Sequence, residues 1–310
     1  MPRRKPTLLN YPAYILWRMV GVMLWFLPRR ASILLADVFA FLMHRVLRIR
    51  RGVVMDNLTR AFGATRTPEE LDRVARDAYR NSMLTFIEFV QPRTMWWNTL
   101  DLFEGFDGAE HFESVKGAPF IVVTAHMGNW ESLGELAAKR FALRLLAFMK
   151  PLHNHLINRA IVQQRLQLGL ELITSNSSNL KTAVTAARDG RILTFVADQD
   201  ARRHGIFVDF LGTPASTAEG PALFAYKLNV PILPAFSVRI PTGQRGYRVM
   251  VAPPIYPNPE ADRDAEVRRM TREHVAALEN AVRSHPDCYF WLHRRWKTQP
   301  KISRSSGVTV

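Results

Sequence analysis

The stretch "FIVVTAHMGNWESLGELA", Phe120 to Ala137, changes period part-way along. Its first half is a short, β-branched apolar run that starts after Pro119, the pattern of a strand buried on both faces. Its second half places Leu133, Leu136 and Ala137 at helical spacing behind Asn129, a residue type that caps helix N-termini. Gly128 permits a tight turn between them. The stretch therefore reads as strand, turn, helix, with His126 where the strand surfaces and Glu131 in the first helical turn. On one continuous helix, residues five apart point about 140° away from each other. The two side chains approach one another only if His126 stands on the turn. A carboxylate there would fix the imidazole tautomer and leave the other ring nitrogen to take a proton. By spacing alone, a structural histidine beside a helix-start charge is the slightly better reading.

The same alternation continues outward. "LRLLAFMK", "LELITS", "RILTFVADQD", "VPILPAFSVR" and "YRVMVAPPI" read as strands, and helical segments separate most of them. Near-continuously apolar strands between helices predict an α/β fold: a mainly parallel central sheet flanked by helices. Chemistry in such sheets sits at the carboxyl ends of the strands. His126, Lys150, Asp198 with Asp200, and Ser237 with Arg239 all fall at or near such ends.

Composition bounds the rest. Of 310 residues, 47% are apolar, enough for a sizeable core, and the single cysteine, Cys288, rules out an internal disulfide framework. The net charge of +15 is uneven: residues 1–60 hold 11 Lys and Arg against Asp37 and Asp56, and residues 291–310 hold five against none. Basic ends around a near-neutral middle suit an anionic surface. "YPAYILWRMVGVMLWFLP", Tyr11 to Pro28, is apolar apart from Arg18 and is flanked by Arg3, Arg4, Lys5, Arg29 and Arg30. It is slightly short for a span and lacks a small-residue cleavage site, whereas its tryptophans and flanking arginines suit a helix anchored in or lying on a lipid interface. "ASILLADVFAFLMHRVLRIRRGVV", Ala31 to Val54, reads as a second helix whose basic end is able to reach phosphates or simply complements its own dipole. From Thr67, a long amphipathic helix begins with a cap, Pro68 and two glutamates. These patterns divide the chain into an N-terminal membrane-associated segment (1–60), a main domain (61–300) and a flexible tail (301–310).

"HMGNWE" followed by an apolar helix resembles the H-x4-D/E motif of the glycerolipid-type acyltransferases, and its glutamate form is most similar to the late acyltransferases of lipid A biosynthesis. Four further segments resemble that family: "RRGVVMDNLTRAF" (Arg51–Phe62), "MKPLHNHLIN" (Met149–Asn158), "VADQDARRHGIFVDFLGTPASTAEGPA" (Val196–Ala222) and "YFWLHRRWKT" (Tyr289–Thr298). Together they span roughly residues 10–300, and Lys150 stands where some members carry arginine.

The resemblance implies an acyltransferase that moves a fatty acyl chain directly from acyl carrier protein, or acyl-CoA, to a hydroxyl of a lipid A precursor or similar glycolipid. It implies the cytoplasmic face of a bacterial inner membrane, an anionic membrane surface, no nucleic acid, no cofactor and no metal. His126 would be the general base, oriented by Glu131. Asn129, Lys150, Arg165, Asp198, Asp200, Arg202, Gly212, Arg294 and Arg295 are the expected substrate-binding residues. Backbone amides near Gly128 or Gly212, or a nearby arginine, are candidate oxyanion donors. Other readings stay open beside it. A mannosylated phosphoinositide or an aminolipid is the alternative acceptor for the same fold. Asp198-Gln199-Asp200 also has the form with which glycosyltransferases hold a metal and a nucleotide sugar. A catalytically silent membrane-binding module is the non-enzyme alternative.

Overall fold

Strand β2 (Ile121–Thr124) lies at the middle of a seven-stranded sheet. The computed structural model describes residues 10–174, 179–240 and 246–300; the basic residues 3–5 and the 301–310 tail lie outside them. On one side of β2 come β5 (Ile192–Val196), β3 (Leu145–Met149) and β4 (Glu171–Thr174), and on the other β8 (Ile232–Arg239), β9 (Tyr247–Val251) and β1 (Phe103–Asp107). All neighbours are parallel except β8 and β9. Every residue of β8 is buried, as expected for a strand covered on both faces. The α/β class and the mainly parallel sheet agree with the sequence reading.

Two elements go beyond that reading. β1, "FEGFD", is short, partly polar and paired only with β9, so it carries little periodic signal. β6 (Ile206–Phe210) and β7 (Thr213–Thr217) form a separate antiparallel hairpin. Its turn, Leu211-Gly212, has φ of +53° and +78°, the left-handed pair that matches the twist of two-residue hairpins.

The N-terminal third is helical. α1 (Tyr11–Trp25) packs on α4 (Pro68–Val90) and α7 (His155–Gln167). Among the described residues, no helix is long and apolar enough to cross a membrane. The expected second helix, 31–54, is interrupted. α2 (Arg29–Phe41) runs into a π-helical turn, Leu42–Val46, and α3 (Arg51–Phe62) starts afresh after Arg48 and Arg50, both with positive φ. Much of its basic end is used internally. Arg45 and Arg51 each lie 2.9 Å from Asp72, and Arg50 donates to the Leu292 carbonyl.

α4 begins with a complete capping box between Thr67 and Glu70 and buries Glu88 near its other end. That carboxylate has no exposed surface, yet it receives Arg29 from α2 at 2.6 Å and Arg239 from β8 at 3.0 Å. Burial opposes its ionisation, but the two guanidiniums hold its pKa below the ordinary value of 4.5. The charge is therefore kept, and the stability it contributes is present above pH 4.5 and lost as pH falls through the lower folded value. Replacing Glu88 by alanine strands two buried cations. It should cost about 3–5 kcal/mol, read as a lowered midpoint in chemical denaturation; a loss under about 1 kcal/mol, the value of an exposed pair, would show the network to be solvated.

Candidate active site

The site is assembled by strand register. Thr124 on β2 faces Val196 on β5, and Val123 faces Pro234 on β8. Two residues beyond Thr124 and Val196 stand His126 and Asp198. The parallel pairing brings them side by side, and His126 Nδ1 lies 2.7 Å from Asp198 Oδ1. Three residues beyond Val123 and Pro234 come His126 and Ser237, so Ser237 stands at the same level on the other flank.

After His126 the chain turns at Gly128, whose φ is +56°. A Cβ there would lie 2.3 Å from the Ser237 carbonyl oxygen, so only glycine fits. Asn129 then caps α6 (Trp130–Arg140) by accepting from the Ser132 amide at 3.0 Å. Its side-chain amide donates to Glu88 at 2.9 Å and its backbone amide to the Ser237 hydroxyl at 3.3 Å. From above, the segment Cys288–Trp291 covers the turn: the Gly128 amide donates to the Cys288 carbonyl, and Phe290 donates to the His126 carbonyl at 3.0 Å. The imidazole stands beside the rings of Trp130 and Phe290, with centroids 4.9 and 6.2 Å away.

Glu131 is turned elsewhere. Arg165 on α7 grips it with two hydrogen bonds, Nε to Oε2 at 3.0 Å and Nη2 to Oε1. The carboxylate on the imidazole is thus Asp198, a strand away, and not the residue five positions along. Glu131 acts on His126 only through space. Burial lowers the His126 pKa, but the charge and hydrogen bond of Asp198, joined by the charge of Glu131, raise it above the ordinary 6.5. Burial likewise opposes ionisation of Asp198, and His126 holds its carboxyl below the ordinary 3.8.

His126 opens onto a cavity of about 520 Å³ between α6 and one face of the sheet. Its far end is closed by Phe106, Phe112, Phe120 and Phe141, and its walls are largely aliphatic. Polar groups gather at the other end: His126, Glu131, Arg165, Lys150 and Gln199. The Gln199 side-chain nitrogen lies 3.4 Å from His126 Nε2. The arrangement offers an oriented imidazole at the mouth of an apolar pocket with a cation across from it.

Of the residues singled out in the sequence, His126, Glu131, Lys150, Arg165 and Asp198 meet here. The others do not. Asn129 is fully buried and committed to its cap and to Glu88. Asp200 faces away from Asp198, accepting from the Thr298 hydroxyl at 3.0 Å while its amide donates to His293. Arg295 is buried over the Phe210 ring and donates to the Ser216 carbonyl and the Thr217 hydroxyl, both at 2.7 Å. Arg202 and Arg294 are exposed, and Gly212 sits at the tip of the β6–β7 hairpin, outside the cavity lining. Among the described residues, no three His, Cys, Asp or Glu side chains converge on a metal site.

Sequence reasoning missed Gln199, Trp130, Phe290 and Glu88 as neighbours of this site. Only the strand order, with β5 next to β2, brings Gln199 here.

The fold places an apolar pocket against a histidine–carboxylate pair. The chain belongs to the bacterial lipid A biosynthesis acyltransferase family, whose model matches residues 1–298. It is similar to the lipid A biosynthesis lauroyltransferase of Escherichia coli (strain K12), 24% identical over 315 residues and 97% of each chain. It is equally similar to the palmitoleoyltransferase of the same strain, 24% over 302 residues and 94% of each chain. A phosphatidylinositol mannoside acyltransferase of Mycobacterium tuberculosis (strain CDC 1551 / Oshkosh) is 23% identical over 206 residues, 65% of this chain and 62% of that one. The protein is thus an acyltransferase.

The His126–Asp198 contact has a measurable signature. Its stabilisation is fullest between pH 3.8 and 6.5. It is lost upward through the raised histidine pKa and downward through the lowered aspartate pKa. Titration of His126 by NMR should give a midpoint above 6.5, and Asp198→Asn should bring it down. A midpoint that does not move in that variant would show the contact to be incidental.

Proposed function

We propose that the protein transfers a fatty acyl chain from a thioester, on acyl carrier protein or coenzyme A, to a hydroxyl of a lipid A precursor or similar glycolipid. The observation that carries this reading is the apolar cavity ending on the His126–Asp198 pair. Asp198 accepts from Nδ1–H and so fixes the tautomer, leaving Nε2 free to accept a proton. The acceptor oxygen loses its proton to Nε2 and attacks the thioester carbonyl. As the tetrahedral intermediate collapses, the new ester C–O bond remains, the C–S bond breaks and the proton passes from His126 to the leaving sulfur. Raising the His126 pKa makes it a stronger base, and it is in the required neutral form above that pKa.

The oxyanion needs a donor, and the backbone amides of the turn are taken. Met127 donates to Ala125, Gly128 to Cys288 and Asn129 to Ser237. Arg165, aimed by Glu131, and the Gln199 amide are the side chains that stand at the cavity mouth. Glu131 thus acts in the site by holding Arg165. Lys150 and Arg165 would also meet an acceptor phosphate. A mannosylated phosphoinositide is the alternative acceptor, supported by the mycobacterial relative.

The enzyme would work at the cytoplasmic face of the bacterial inner membrane. Segment 1–60 would face lipid, with residues 61–300 as the acyltransferase domain. The support is a row of exposed apolar side chains on α1 and α2, including Leu16, Met19, Met23, Leu34 and Phe41.

The test is acyl transfer from acyl carrier protein to a lipid A precursor, and in parallel to a phosphoinositide mannoside, with products weighed by mass spectrometry. His126→Ala should lower turnover by about 10²- to 10⁴-fold; unchanged turnover would end the proposal. The acid limb of the wild-type rate profile should lie above pH 6.5, and in Asp198→Asn it should move down as the rate falls. Ala137→Phe, which intrudes on the cavity wall, should shift the product to shorter chains, and an unaltered chain length would place the acyl group elsewhere.

A further inference from the structure

The two faces of α7 do different things. Ile161 and Arg165 face the acyl cavity. Arg159, Ala160, Gln163, Gln164 and Gln167 face a second, larger groove of about 960 Å³ on the other side of the helix. Its opposite wall is one face of α1: Tyr14, Trp17, Arg18, Gly21, Val22 and Trp25 recur at helical spacing. Arg93, just beyond α4, and Lys139 on α6 stand together at one end. No aspartate or glutamate lines the groove. Arg93 and Lys139 share the buried Glu135, at 3.3 and 2.7 Å, which leaves that cluster one net positive charge. Arg18 and Arg159 enter no ion pair among the described residues and add two more.

This accounts for Arg18, the charge that interrupts an otherwise apolar helix. It lies in the groove and not among Ile15, Leu16, Met19 and Met23, which are exposed on the rest of α1. A second hydrocarbon chain would meet Arg159, Gln163, Gln164 and Gln167 on the α7 wall, set between Leu156, Ala160 and Leu168. A phosphate fits it well: guanidiniums bind phosphate oxygens with paired donors, the glutamine amides add more, and Trp17 and Trp25 suit headgroup depth.

We propose that this groove binds the phosphate-bearing headgroup of an anionic phospholipid, seated between Arg18 on α1 and Arg159 on α7. It is a lipid site separate from the acyl cavity, with α7 as the partition. The lipid's chains lie along the exposed apolar row of α1, so that one bilayer lipid clasps α1 to the enzyme. The proposal rests on the reading that the protein works at a membrane.

Vesicles test it. Wild-type protein is titrated with phosphatidylcholine vesicles and with phosphatidylcholine–phosphatidylglycerol vesicles at physiological salt. The comparison is with Arg18→Gln/Arg159→Gln and with a control of equal charge change, Arg268→Gln/Arg272→Gln, on the remote helix α10 (Arg263–Ser284). Far-UV circular dichroism confirms that each variant is folded. The wild type should prefer the anionic vesicles. The groove variant should lose about thirty-fold of that preference, and the control only a few-fold. Three results would overturn the proposal. In one, the control loses as much as the groove variant, so that only net charge matters. In another, the groove variant keeps its preference and loses affinity for acyl carrier protein, which assigns the groove to the acidic carrier. In the third, the wild type binds both vesicles equally, which removes this site while the membrane reading survives. Protein that binds neither vesicle overturns the membrane reading itself, and the groove with it.

Discussion

A single buried carboxylate organises this molecule. Glu88 is out of contact with water, and an unpaired charge there would be prohibitive. It is sustained because Arg29, Arg239, Asn129 and Tyr247 all converge on it, from α2, β8, the catalytic turn and β9. Each partner belongs to a different part of the fold, so the charge is satisfied only when those parts are correctly docked. Asn129 links the network to the chemistry. The residue that caps α6 also touches Glu88, so the angle at which the helix leaves the His126 turn is set from α4. Helix α2 enters the same network through Arg29. Electrostatics inside the protein thus tie the exposed apolar surface of α2 to the turn that carries His126.

Much of this was legible in the sequence, and the limit falls where sequence spacing stops reporting spatial neighbours. The strand–turn–helix at Phe120–Ala137 could be read because period, cap and glycine all agreed. The helix at 68–90 could be read because Thr67, Pro68 and Glu70 mark its start. The wrong expectation was local: His126 and Glu131 are close in sequence, so Glu131 was expected to orient the imidazole. In the structure, β2 and β5 lie side by side in parallel register, and that places Asp198 on the ring while Glu131 turns to Arg165. Once β5 is known to neighbour β2, counting two residues past Thr124 and Val196 finds the pair. Strand order is a long-range property, and no single strand encodes it. The interruption of the second helix was hidden for a similar reason. "RVLRIRRG" keeps a helical composition, and the break at Arg48 and Arg50 accompanies tertiary partners, Asp72 and the Leu292 carbonyl.

Charge is sorted by depth. The innermost cations, Arg29, Arg239 and Arg295, are consumed by the fold. Arg165 sits at an intermediate depth, held by Glu131 but still part of the cavity mouth. Arg18 and Arg159 lie in the open groove across α7. These six arginines therefore form three populations in different surroundings. Helix α7 divides an apolar compartment from a cationic one within the width of a single helix.

The covering of the catalytic turn by Cys288–Trp291 bears on how the protein is made. The His126 turn leaves the ribosome long before the segment that satisfies its Gly128 amide and His126 carbonyl. Asn57, earlier still, donates to Trp291 and His293 across more than two hundred residues. Contacts so distant in sequence form late and slowly. A nascent chain can raise its central strands and helices in order, yet the His126 turn stays uncovered until residues 288–293 have been made. The turn is completed only when the chain doubles back over it, some hundred and sixty residues on.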